Sequence, residues 1–187
     1  AKGERTPSLM ESMILGSDTS DILICGMVRI DEAIRPEQIS DALERMARMP
    51  VMRTTVSKTR VAMRKAMVMP QFSVKNNVDI DDLGFVKSVL EKELNTRFEK
   101  GQSRIRCVLM RKEPQDDKCG LVITLDHVLF DGLSAIELMR RLLIWIKNPS
   151  HAFGDDGQGL LKSCDDYLML NYLCFPFIIQ LLFSLIE

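Results

Sequence analysis

The sequence has almost no net charge and no closely spaced cysteine pair. Its 25 Lys and Arg stand against 26 Asp and Glu, a formal net charge of -1. No basic excess is therefore available to neutralise the phosphates of a nucleic acid. The five cysteines lack the C-x-x-C spacing that is typical of zinc sites and redox motifs. We expect reduced, mostly buried thiols in a cytosol-facing protein, with neither a metal site nor a nucleic-acid partner.

The N-terminal residues are also without a long apolar run. Residues 1–7 are polar and have none of the apolar core of a secretory signal peptide. With 187 residues, 46% of them hydrophobic and 27% charged, the chain has the composition of one globular domain that buries a real core. No internal repeat or low-complexity tract interrupts it.

Apolar segments separated by turn residues predict the order β, α, β, β, α, β, β, α. The near-continuous apolar run 21–30 predicts a strand buried on both faces or close to it. The other predicted strands cover residues 51–57, 60–69, 104–109 and 120–125. The predicted helices run from Pro36 towards Pro50, from Leu83 to Leu94 after capping carboxylates at 79–82, and from Leu133 to Ile146.

The chain contains only two histidines, and one of them stands where a buried strand ends. His127 follows the apolar run 120–125, and Asp131 and Gly132 come four and five residues later, before the third helix. On composition alone, H-x-x-x-D-G around either histidine has a chance probability of roughly one per cent or less. An isolated histidine more often satisfies a backbone carbonyl, but this context favours an acid–base role for His127.

At these residues the sequence resembles the acyltransferase superfamily that includes chloramphenicol acetyltransferase, the condensation domains of peptide synthetases, plant alcohol acyltransferases and wax ester synthase/diacylglycerol acyltransferases. The family mark is H-H-x-x-x-D-G or H-x-x-x-D-G. Asp126 stands here in place of the first His, and Leu133-Ser134-Ala135 is similar to the family's continuation. The resemblance covers roughly residues 7–147. It implies an α/β (α+β) sandwich: one lobe with a mixed sheet flanked by helices.

The resemblance also implies roles for the motif residues. His127 is the general base, which takes a proton from the acceptor and returns it to the leaving thiol. Asp131 pairs with an arginine and shapes the loop, and the candidate arginines on predicted strands are Arg29, Arg104 and Arg106.

Gly132 and Ser134, which follow Asp131, each have two interpretations. Gly132 either permits a backbone shape that a side chain would block or is an ordinary loop glycine. Ser134 either donates a hydrogen bond to a tetrahedral oxyanion or caps the third helix.

The charge-free segment after the lobe is the one feature that makes the chain most similar to the wax ester synthase/diacylglycerol acyltransferase or alcohol acyltransferase branch. This resemblance implies acyl transfer from acyl-CoA, a substrate rather than a cofactor, to an alcohol. One alternative is a non-catalytic lobe that acts as a binding or scaffold domain. Another is peptide-bond condensation on carrier-protein substrates, which the apolar C-terminal segment disfavours.

The chain divides into a lobe at 1–149, a polar linker at 150–166 and an apolar helix at 167–187. Residues 167–186 carry no charge over about the length that spans a bilayer's hydrocarbon core. We expect this segment to contact a membrane, with the protein on the cytoplasmic face of the endoplasmic reticulum or plasma membrane. Because two-lobed family members are about twice as long, we also expect a second lobe or subunit to complete the site.

Overall fold

The computed structural model describes residues 4–5, 22–56, 61–63, 66–99, 101–114, 116–130 and 132–153. Within these ranges the helices are α1 (Pro36–Ala47), α2 (Leu83–Leu94) and α3 (Gly132–Lys147), with a 3-10 helix at Pro50–Arg53. The strands are β1 (Glu4–Arg5), β2 (Leu23–Ile30), β3 (Thr54–Val56), β4 (Val61–Met63), β5 (Gln71–Lys75), β6 (Ile105–Met110) and β7 (Cys119–Asp126).

A four-stranded mixed sheet forms the centre of the fold, in the order β2-β7-β6-β5. Strand β7 pairs antiparallel with β2 and β6, while β6 pairs parallel with β5. Parallel neighbours need a crossover connection, and α2 supplies it between β5 and β6. Every residue of β6 and β7 is buried. The predicted α/β architecture with a mixed sheet flanked by helices is therefore confirmed.

The two faces of this sheet pack against different helices because successive strand side chains point to opposite sides. One face, with Leu121, Ile123 and Leu125, belongs to the large core cluster that includes buried residues of α1 and α3. The other face, with Val108 and Val122, packs against α2 in a smaller cluster. Helices thus cover both faces of β7.

Two of the three helix starts predicted from sequence, those of α1 and α2, are confirmed. Pro36 is the first residue of α1, where its missing N–H costs nothing. The Asp82 carboxylate precedes α2 and accepts hydrogen bonds from the backbone N–H groups of Gly84 at 3.0 Å and Phe85 at 3.1 Å. It therefore satisfies two of the N–H groups that a helix start leaves unpaired.

The apolar run 21–30 does form a strand, and both of its faces pack against core clusters, although most of its side chains are only half-buried. Strand β2 lies at an edge of the four-stranded sheet, and its first six residues are only half-buried. An apolar pattern reports packing above and below a strand, whereas exposure also depends on whether a neighbouring strand lies on each side.

The predictions for residues 51–75 need three corrections. A 3-10 helix takes the first part of the predicted strand 51–57, leaving β3 with three residues. The predicted strand 60–69 is only Val61–Met63 in the described residues, and it lies between β1 and β3 in a separate three-stranded sheet. Strand β5 was not predicted, because its five residues carry a short, partly polar pattern that parallel pairing with β6 stabilises.

The spacing of Leu83, Val86, Leu90 and Leu94 predicts one apolar stripe along α2, but the buried stripe is narrower. Val86 and Val89 are buried, whereas Leu83 is 77% exposed and Leu94 is 44% exposed. The sheet therefore contacts the middle of the helix rather than its full length.

Apolar residues within 6–20 predict a short helical entry segment, but it lies outside the described residues. Most of the linker and the apolar segment 167–187 also lie outside them. Among the described helices, none combines the length and the apolar character needed to cross a bilayer.

A buried ion pair joins the end of α2 to β6. Arg106 donates from Nε to Glu93 Oε2 at 2.9 Å, and the two side chains are only 9% and 12% exposed. Arg106 Nη2 also donates to the Thr96 carbonyl at 2.6 Å, and the guanidinium lies 4.3 Å from the centre of the Phe98 ring. The arginine thus ties both the helix and the segment after it to the sheet.

We expect Arg106→Met to lower the free energy of unfolding by about 3 kcal/mol, because it leaves the Glu93 carboxylate buried without its cation. Urea denaturation of the full chain measures this. Adding Glu93→Gln should recover part of the loss, since the two groups act as a pair. Arg29→Met is the matched control, because Arg29 pairs with Asp31 at the exposed surface; an equal loss in the two single variants would contradict the prediction.

Candidate active site

Four strand ends meet at one end of the central sheet. The register places Leu23 opposite Asp126, Ile105 opposite Leu125, and Gln71 opposite Arg106. The starts of β2, β5 and β6 therefore lie beside the end of β7. His127 is the first residue beyond that end.

His127 lies in a turn that is anchored on both sides. Its backbone N–H donates to the Ile22 carbonyl at 2.9 Å, which extends the pairing of β2 and β7 by one residue. Phe130, three residues later, is 3% exposed and packs into the large core cluster. His127 itself is half-buried. The strand, turn and helix predicted around His127 are present, and the imidazole is carried at the end of a buried strand.

Asp126, the last residue of β7, holds this turn together. Its carbonyl accepts from the N–H groups of Leu129 at 3.0 Å and Phe130 at 3.2 Å. Its carboxylate accepts from the Val128 N–H at 3.0 Å and from Arg104 Nη1 at 3.0 Å. The sequence pattern indicates only that Asp126 replaces the first histidine of the family motif. The signal missed is that an aspartate before a turn often binds the backbone two residues later.

The predicted ion-pairing residue Asp131 lies outside the described residues. The three arginines considered as its partner each pair with another carboxylate: Arg29 with Asp31 and Asp81, Arg104 with Asp126, and Arg106 with Glu93. Only Arg104 reaches the residues next to His127. The role of Asp131 stays a prediction.

The other two predicted site residues lie in the first turn of α3. Gly132 is the first residue of that helix, and Ser134 is the third and is exposed. The permissive backbone of Gly132 and the oxyanion or capping role of Ser134 stay predictions.

Comparison with known proteins gives matches in structure but not in sequence. No protein-family model matches the chain, and neither does the sequence of any curated protein. A variant of the starter condensation domain of rhizomide synthetase RzmA superposes with a TM-score of 0.67 at 13% identity, over 91% of this chain. The SgcC5 protein of Streptomyces globisporus gives 0.64 at 19% identity over 80% of this chain.

A third similar structure is the cyclization-docking bidomain of the EpoB peptide synthetase from Sorangium cellulosum, with a TM-score of 0.60 at 15% identity over 89% of this chain. The chain has the condensation-domain fold, as these matches show. It spans 43% of the RzmA structure, 38% of SgcC5 and 34% of the EpoB bidomain, which is less than half the length of each.

The described thiols are poorly suited to nucleophilic chemistry. Burial raises the pKa of Cys107 to about 12 and that of Cys119 to about 11, and it also raises the pKa of Cys25. The thiolate is the nucleophile, so these groups are almost entirely unreactive at neutral pH. No group of three or more metal-ligating side chains occurs in the described ranges. The imidazole of His127 is the better candidate for proton transfer at this end of the sheet.

We expect Cys107 and Cys119 to resist iodoacetamide at pH 7.5 in the folded protein and to react fully in urea. The reason is that burial both blocks the thiols and keeps them protonated. Peptide mass spectrometry of the alkylated protein measures each site separately, and the urea sample is the positive control. Rapid modification of Cys107 in the native state would show that this thiol is not buried.

Proposed function

We propose that this chain is an acyltransferase lobe that transfers an acyl group from acyl-CoA to an alcohol, with His127 as the general base. One observation carries the proposal: a half-buried histidine follows the central strand of a condensation-domain fold, with Asp131-Gly132 four and five residues later. In this proposal the fold positions the side chain, and the imidazole of His127 transfers the proton.

The reaction needs one proton to move twice. The imidazole of His127 takes the proton from the acceptor hydroxyl while the hydroxyl oxygen attacks the thioester carbonyl carbon. The tetrahedral intermediate then collapses, the carbon–sulfur bond breaks, and the imidazolium returns the proton to the leaving sulfur. The products are an ester and free CoA thiol. Direct attack needs no acyl-enzyme, provided that donor and acceptor are held in line.

Acyl-CoA as the donor is supported by one of the structural neighbours. A crystal structure of an RzmA starter-domain variant contains C8-CoA, and this structure matches 76% of the present chain with a TM-score of 0.61. The choice of an alcohol as acceptor rests on the resemblance to the wax ester synthase/diacylglycerol acyltransferase and alcohol acyltransferase branch.

An amine acceptor is the second candidate. Several of the structural neighbours are condensation domains, and another RzmA variant structure contains C8-CoA together with Leu-SNAC. The same base would then take a proton from an amine, and the product would be an amide. Assays with one acyl-CoA and a choice of alcohol or amine acceptors distinguish the two functions.

We also propose that a second lobe, on the same polypeptide or on another subunit, completes the site. The chain spans less than half the length of the structures that it matches. Donor and acceptor would then be enclosed between this lobe and the second one, with His127 at the boundary.

The segment 167–186 is proposed to contact a membrane, on the cytoplasmic face. Replacing Phe177 and Leu181 with Lys should reduce flotation of the full chain with phospholipid vesicles several-fold, because charge is costly in the bilayer core. Leu83→Lys is the control, since Leu83 is 77% exposed in the described part of the chain. Equal flotation of the two variants would exclude membrane contact through this segment.

We expect His127→Ala to lower the acyl-transfer rate by about 10²-fold to 10⁴-fold, the usual contribution of a general base. The fold should be retained, because the half-buried side chain is outside the two core clusters. Release of CoA thiol, measured with the longest natural form of the protein, gives the rate, and circular dichroism reports the fold.

His151→Ala is the matched control for this experiment. His151 is the chain's second histidine; it is exposed, and its carbonyl accepts from Trp145 Nε1, a contact that the substitution keeps. We expect the turnover of His151→Ala to stay within about 2-fold of that of the original protein. This change is far smaller than the loss expected when a general base is removed. If His127→Ala is equally active, the lobe is a non-catalytic binding or scaffold domain.

A further inference from the structure

We propose that Asp126 and Arg104 are positioning residues, whose ion pair sets the direction in which His127 presents its imidazole. This inference rests on the proposed function, since it concerns the same site. Neither residue needs to touch the substrate. Their effect passes through the two peptide groups on either side of His127.

Those two peptide groups are both held by hydrogen bonds. The peptide between residues 126 and 127 donates its N–H to the Ile22 carbonyl at 2.9 Å. The peptide between residues 127 and 128 donates its N–H to Asp126 Oδ1 at 3.0 Å. Because the planes of both peptides are fixed, the two backbone dihedral angles of His127 are fixed as well. The direction of its Cα–Cβ bond relative to the sheet follows from these angles.

Arg104 in turn fixes the Asp126 carboxylate. The backbone N–H of Asp126 donates to the Arg104 carbonyl at 3.1 Å, so the two residues stand opposite each other as an extension of the β6–β7 pairing. Across that pair, Arg104 Nη1 donates to Asp126 Oδ2 at 3.0 Å, leaving Oδ1 for the Val128 N–H. Each carboxylate oxygen therefore has its own partner, and the carboxylate has little freedom to rotate.

Burial makes this arrangement stiff. The Asp126 side chain is 6% exposed and the Arg104 side chain 29% exposed, so water competes little for the carboxylate. Charge-assisted hydrogen bonds of this kind are shorter and stronger than neutral ones. A neutral residue at either position would loosen the hold on the 127–128 peptide.

The buried pair Glu93–Arg106 offers a matched comparison. Arg104 and Arg106 are two residues apart, so their side chains point to the same face of the sheet. The Glu93 carboxylate, however, lies on α2 and joins that helix to β6 rather than to the turn at His127. Loss of either pair should weaken the fold, but only loss of the Asp126 pair should release His127.

The test uses Asp126→Ala, Asp126→Asn, Arg104→Gln and Glu93→Gln in the full chain. The imidazole signals are observed by ¹H–¹³C NMR, which is simple because only two histidines occur, and His151→Ala assigns them. Hydrogen exchange of the Val128 amide reports the bond to the Asp126 carboxylate. Steady-state kinetics then separate kcat from KM for acyl-CoA.

We expect Asp126→Ala to broaden or split the His127 ring signal, to speed Val128 exchange at least 10-fold, and to lower kcat by about 10-fold to 100-fold with KM changed less than 3-fold. Misplacing a catalytic group by about 1 Å costs rate of this order. Arg104→Gln should show the same changes to a smaller degree. Asp126→Asn keeps an oxygen acceptor for Val128 and should recover part of both losses, whereas Glu93→Gln should leave the ring signal and kcat unchanged.

A sharp, unshifted His127 signal with unchanged kcat in Asp126→Ala would overturn the proposal, and so would equal effects from Glu93→Gln. If Asp126→Ala does not fold, Arg104→Gln and Asp126→Asn carry the same comparison. The NMR and exchange measurements need no turnover, so they decide the positioning role even if His127→Ala proves active. In that case the proposed function fails and the positioning inference stands or falls on the spectra alone.

Discussion

The position of β7 between β2 and β6 is the constraint on which the rest of the structure depends. Hydrogen bonds on both edges hold this strand, and all eight of its residues are buried. Helices on both faces add apolar contacts, so β7 has no freedom to slide by even one residue without turning its side chains to the wrong face. Because β7 is held so firmly, the backbone position of the residue directly after it is well defined. His127 is that residue.

The face of the sheet that packs against α2 is apolar along most of its length but charged near the His127 end. Arg104–Asp126 and Arg106–Glu93 lie there in succession, both largely shielded from water. Buried ion pairs contribute little net stability because desolvation offsets their attraction, but breaking one is costly. Their value here is geometric: one pair ties a helix to the sheet, and the other ties the turn that carries the histidine.

The likeness to the RzmA, SgcC5 and EpoB structures at 13–19% identity concerns the course of the backbone. The described side chains indicate which chemistry this end of the sheet can support. The cysteine pKa values are raised by burial, which disfavours thiolate chemistry, and the histidine is half-buried at a strand end. The proposed general base, acting on an acceptor held by the proposed second lobe, would need no covalent intermediate.

The sequence by itself determined the elements whose patterns are long or locally capped. These include the buried strand before His127, the proline start of α1 and the Asp82 cap of α2, because each depends on neighbours within a few residues. Only the tertiary structure decided that β2 is an edge strand, that Gln71–Lys75 pairs with β6, and that Arg104 meets Asp126. Arg104 and Asp126 are 22 residues apart, and no local pattern encodes their contact. The register of two paired strands brings them together, and register is set by the packing of the whole sheet rather than by either residue.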